Sequence, residues 1–102
     1  MRRPAPRRAG AALRRALDSA APPTLLAEVQ TVWSEACGEA VAAQARPVAE
    51  RDGLITVACR SATWASELDL MQTRLLEQVN ALLAERRVER LRFTADAARF
   101  TP

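Results

Sequence analysis

The chain has 102 residues, 49% of them hydrophobic, enough for one packed domain with a core of moderate size. Histidine is absent and there are two cysteines, Cys37 and Cys59. That excludes a zinc site, which takes about four Cys/His ligands, and a cysteine nucleophile activated by histidine. No run approaches the roughly 18 apolar residues of a membrane span, and Arg14, Arg15 and Asp18 interrupt the Ala-rich N-terminal stretch where a signal peptide is apolar. The sequence therefore implies a cytoplasmic protein whose cysteines are small buried hydrophobes.

Charge is unevenly distributed. All 15 basic residues are arginine, and Arg2, Arg3, Arg7, Arg8, Arg14 and Arg15 stand in a leader without acids. The remaining nine arginines share the chain with 12 acids, so the high pI comes from the leader and the body is mildly acidic. Guanidinium groups grip phosphate and carboxylate in a bidentate way. Such a leader suits a phosphate backbone or an acidic partner, or else is a solvated tail. Residues 1–20 read as a flexible basic segment, within which Leu13 and Leu17, one turn apart, permit a short helix over 10–20.

Pro22-Pro23 ends that segment, and a helix is expected from Pro23 or Thr24. Leu26, Val29, Trp33, Ala36 and Ala40 give it one apolar face. Gly38 interrupts the pattern and marks either a close approach of another element or a local break. Residues 46–59 read as a β-hairpin, because Asp52-Gly53 suits a type I′ turn with positive φ at both central positions. Pro47 belongs to a strand start or an edge. Leu54–Cys59 is apolar on both faces, as a central strand is.

One long amphipathic helix is expected from Ser61 or Thr63, with Trp64, Leu68, Met71, Leu75, Val79 and Leu82 as its stripe. A last strand, Val88–Phe93, places Leu91 and Phe93 on one face and Arg90 and Arg92 on the other. The order α-α-β-β-α-β gives an α+β fold, a small mixed three-stranded sheet packed on helices. The folded domain is expected over residues 22–94, followed by a short tail at 95–102.

No catalytic constellation is visible, so the chain reads as a non-enzyme without cofactor, metal or small-molecule substrate. Trp33 is a core residue by its position on the stripe. Trp64 is either core or a surface anchor at a helix start, where backbone N–H groups can also meet phosphate. Arg90 and Arg92, preceded by Arg86 and Arg87, either follow a nucleic-acid backbone or form a solvated sheet face beside Glu89. Aromatics are too few for a base-stacking platform.

The ordered set Trp33, Gly38, Pro47, Gly53-Leu54, Val57, Ser61, Trp64, Leu68 and the strand Val88–Phe93 resembles the DciA family of bacterial replication proteins. The resemblance implies a KH-like fold and a non-ATPase adaptor that binds the DnaB-type replicative helicase and assists its loading or action on DNA. It implies partner contacts through Trp64, Arg60 and Leu68, with weak, salt-dependent contact to single-stranded DNA through the leader. Arg90 and Arg92 are further nucleic-acid candidates. The glycines Gly10, Gly38 and Gly53 cannot form the GxxG loop of ordinary KH domains. The rival readings are a stand-alone single-stranded DNA or RNA binder that uses the leader, and a dimerisation module that uses a free sheet edge.

Overall fold

A computed structural model describes residues 24–100 of the protein. The expected leader helix at 10–20, the six leader arginines and Pro22-Pro23 lie outside the described residues. The elements are helix α1 (Leu25–Cys37), short helix α2 (Glu39–Ala42), strands β1 (Ala45–Arg51) and β2 (Leu54–Cys59), helices α3 (Ala62–Leu70) and α4 (Gln72–Leu82), strand β3 (Arg90–Ala95) and short helix α5 (Ala97–Phe100). The sheet order is β1-β2-β3, with β1 antiparallel and β3 parallel to the central β2. This is the α+β fold with a mixed three-stranded sheet implied by the sequence, and it is compatible with a KH-like arrangement.

Thr24 caps α1, its Oγ1 accepting the Ala27 N–H at 3.0 Å. Leu25, Val29, Trp33 and Ala36 form the buried face of α1. Gly38 ends it with φ 91° and nothing within 4 Å of a notional Cβ, so the glycine serves a local break and not a close approach. Ala40, beyond that break, is exposed. Two α1 side chains reach the β1 backbone. Trp33 Nε1 donates to the Ala45 carbonyl at 2.9 Å and Gln30 Nε2 to the Pro47 carbonyl at 3.0 Å. Pro47 has no N–H to offer, and the register shifts between Pro47 and Ala49. Together these features close the β1 edge to further strand pairing.

Asp52 and Gly53 both take positive φ, at 51° and 86°, as a type I′ turn requires. The Gly53 carbonyl accepts the N–H groups of Glu89 at 2.8 Å and Arg90 at 3.2 Å, which sets the start of β3 beside β2. Ile55, Val57, Ala58 and Cys59 of β2 are fully buried, as befits the central strand.

The long helix expected from residue 61 is two helices. Met71 leaves the helical region at φ −99°, ψ 12°, and its N–H donates to the Leu68 carbonyl at 3.0 Å in a tightened turn. The apolar stripe runs on by residue count, but its halves serve different neighbours. α3 packs on β2 and β3, whereas α4 packs chiefly on α1. A straight rod could not cover both. The side chains of Asp69 and Gln72 are bonded across the break at 2.9 Å.

Asn80 holds the return to the sheet. Its amide donates to the Val88 carbonyl at 3.0 Å and accepts the Val88 N–H at 2.7 Å, copying the pairing of a neighbouring strand. Val88 is buried and lies just before β3. Asn80→Ala removes both bonds and is expected to cost about 1–3 kcal/mol, the usual range for stranded part-buried polar groups. Asn80→Asp keeps the acceptor but sets a carboxylate against the Val88 carbonyl and is expected to destabilise as well. Urea unfolding followed by circular dichroism checks both through the midpoint.

Candidate functional site

Arg60, Trp64 and Leu68 descend from the end of β2 into α3, and the structure gives each a different setting. Ser61 caps α3, its Oγ accepting the Trp64 N–H at 3.2 Å, so one orphan donor of the helix start is already used. Trp64 is half-buried, its ring against the core and part of it open to water. Leu68 is 1% exposed and lies in the core, beneath the helix surface that a partner could reach. Arg60 is exposed, and its guanidinium carbon sits 5.5 Å from the centre of the Phe100 ring. Such a cation–π contact contributes about 0.5–1 kcal/mol at an exposed site.

Phe100 belongs to a part of the site that sequence reasoning missed. Asp96 starts α5. Its N–H donates to the Cys59 carbonyl at 3.1 Å and its carboxylate accepts the Arg99 N–H at 3.1 Å. α5 then returns to β1 and β2, where the Phe100 carbonyl accepts Arg46 Nη1 at 3.1 Å. The signal for this turn was Asp96, an N-capping residue type in a segment otherwise read as tail.

Two further surfaces flank α3. Leu70, at the α3–α4 junction, is 82% exposed, with the less exposed Met71 beside it. Between α3 and the open edge of β3 lies a shallow groove of about 370 Å³ lined by Ala65, Ser66, Asp69 and Gln72 on one side and Arg90 to Phe93 on the other. Arg90 and Arg92 are exposed, on the side of β3 opposite buried Leu91. Neither is paired with a carboxylate among the described residues. Trp64 packs against the core cluster that includes Leu91, on the side of the sheet away from these two arginines.

Residues 8–93 match the family model described as Dna[CI] antecedent, DciA. A UPF0232 protein of Rhodococcus jostii is 36% identical over 66 residues, which cover 65% of this chain and 35% of that protein. UPF0232 proteins of Mycobacterium tuberculosis and Mycobacterium ulcerans are 38% and 33% identical over 66 residues each. The matched part thus spans about a third of the length of these curated relatives.

Among the described residues no group of three or more His, Cys, Asp or Glu could hold a metal ion, and no helix is long and apolar enough to cross a membrane. Cys37 and Cys59 are both free. Loss of hydration on burial pushes the Cys37 thiol up to about 12 and the Cys59 thiol up to about 11. A thiol held that high is a poor nucleophile near neutral pH. The chain has no lysine, tyrosine or histidine, so the thiols are its only side chains that titrate between neutrality and arginine. Their folded pKa values lie above the unfolded value of 9.0. The stability linked to the protonated thiols is therefore complete below pH 9 and is lost as pH rises through 11 to 12. Urea unfolding at stepped pH is expected to show this alkaline decline, and the Cys37→Ala/Cys59→Ala variant is expected to lack it.

Proposed function

The chain belongs to the DciA family, and on that premise we propose that it acts in bacterial DNA replication as a non-enzymatic adaptor. It binds the DnaB-type replicative helicase in the cytoplasm and assists its loading or action on DNA, without cofactor, metal or small-molecule substrate. The family match over residues 8–93 carries this reading. An adaptor moves its partner between states only by binding one state better than another, so the whole activity reduces to differential contact.

The contact is assigned to the α3 surface around Trp64 and Arg60. A half-buried indole is already ordered by the core, which lowers the entropy cost of docking. Aromatic and arginine side chains are the usual anchors of such interfaces. Leu68 serves this surface from below by holding α3 on the sheet, and the exposed Leu70 extends it. The leader arginines Arg2, Arg3, Arg7, Arg8, Arg14 and Arg15 contact single-stranded DNA or an acidic patch of the helicase.

The concentration of six arginines in the leader favours a second reading, a stand-alone binder of single-stranded DNA or RNA. That reading predicts salt-steep binding lost on deletion of residues 1–20. Helicase binding through the body would survive the same deletion.

The deciding experiment titrates the protein into the DnaB-type helicase of the same organism, without DNA and at moderate salt. Saturable binding is expected. Trp64→Ala, with its fold checked by circular dichroism, is expected to weaken binding about 30-fold, the effect of a hot spot of about 2 kcal/mol. Absence of binding to an active helicase would sink the adaptor reading and leave the nucleic-acid binder.

A further inference from the structure

The two edges of the sheet differ. Pro47, the register shift beside it and the bonds from Gln30 and Trp33 occupy the β1 edge. β3 has β2 on one side and, among the described residues, no strand on the other. The Arg90 N–H donates to the Gly53 carbonyl at 3.2 Å and the Asp96 N–H to the Cys59 carbonyl at 3.1 Å, both toward β2. Backbone direction alternates along a strand, so Arg92 and Thr94 also point to β2. The N–H and C=O groups of Leu91 and Phe93 then point to the open edge. Among the described residues nothing bonds to these groups.

The groove between α3 and β3 runs along this edge. One wall is a helix and the other an unpaired strand, the arrangement that accepts an added strand. Arg90 and Arg92 stand exposed on the strand wall. On the helix wall the Asp69 carboxylate accepts the Gln72 amide at 2.9 Å.

We propose that an extended acidic segment of a partner protein adds to β3 as a fourth strand. The edge offers N–H donors and C=O acceptors together. A peptide backbone answers both, whereas a phosphodiester backbone brings acceptors alone and leaves the carbonyls unmet. The arginines select the side chains. Asp or Glu opposite Arg90 and Arg92 forms favourable cross-strand pairs. The residue between them, opposite Leu91, turns into the groove beside Ala65 and Ser66 and is small and uncharged. The motif is therefore acidic, small apolar, acidic.

The same arginines disfavour a second copy as the occupant. Antiparallel self-pairing centred on Leu91 sets Arg90 against Arg92, and centred on Arg92 it sets that arginine against itself. Centred on Phe93, it runs into Asp96, where α5 begins. Exposed charge thus guards the edge against its own kind and leaves it open to the opposite sign. The inference does not rest on the helicase reading, and its test contains no helicase, so each can fail alone.

The experiment follows the backbone amides of the full chain by NMR while a short soluble peptide of alternating glutamate and valine is added. The amide protons of Leu91 and Phe93 are expected to move downfield, as newly bonded N–H groups do. Those of Arg90 and Arg92, already bonded to β2, are expected to move less. In anisotropy titrations of the labelled peptide, Arg90→Gln/Arg92→Gln is expected to bind about tenfold more weakly, the effect of two cross-strand charge pairs. Arg74→Gln/Arg87→Gln, with the same net charge, is expected to bind as the unsubstituted chain does. A peptide with N-methyl groups on alternate residues keeps every charge but loses its edge donors, and is expected to lose binding to the unsubstituted chain. Equal binding of the N-methyl peptide, or an equal loss in the charge-matched variant, overturns the proposal by reducing the contact to charge attraction. Downfield shifts at Leu91 and Phe93 that grow with protein concentration alone overturn it in favour of self-pairing. The same shifts with an oligothymidylate but not with the peptide assign the edge to nucleic acid and overturn it as well.

Discussion

The parallel pairing of β2 with β3 is the constraint from which the rest of the architecture follows. Antiparallel β1 and β2 can be joined by two residues, but parallel strands require a long crossover. Here the crossover is α3 and α4, with Asn80 fastening the returning chain at Val88. α3 lies on the sheet and α4 passes to α1, so all the larger helices gather on one side. A small sheet covered on one side has one dry face and one wet face. The inner face takes Ile55, Val57, Cys59 and Leu91, and the outer face carries Arg51, Leu54, Thr56, Arg90 and Arg92, with Ala58 buried at the end that α5 covers.

Much of this was legible in the residues because the signals were local. Asp52-Gly53 specifies its turn through backbone sterics alone, and both residues adopt the positive φ that a tight hairpin demands. Ser61 was one of two expected caps for α3, and its hydroxyl does receive the Trp64 N–H. The two-sided apolar pattern of Leu54–Cys59 marked the central strand. What escaped was decided by tertiary geometry. Nothing at Leu70-Met71 resembles a helix breaker, and the periodicity continues through it. The break is imposed by two partners lying in different directions. Phe100 escaped similarly, since its place depends on Arg46 and Arg60, which are distant in sequence.

The candidate site was less legible than the fold. Periodicity identified Trp64 and Leu68 as members of one stripe but could not divide them into a half-open indole and a sealed leucine. Alternation paired Arg90 with Arg92 correctly. The addition of Arg51 to that face depends on strand register, which passes through a bulge beside Pro47. A one-residue shift in that bulge would turn Arg51 to the core side, so no reading of β1 alone could place it.

Acidic side chains are concentrated on the helices and absent from the outward strand positions. The helices carry Glu28, Glu35, Glu39, Glu67, Asp69 and Glu77, while the open sheet face carries arginines alone. At physiological ionic strength the Debye length is about 8 Å, less than the roughly 10 Å that separates packed layers.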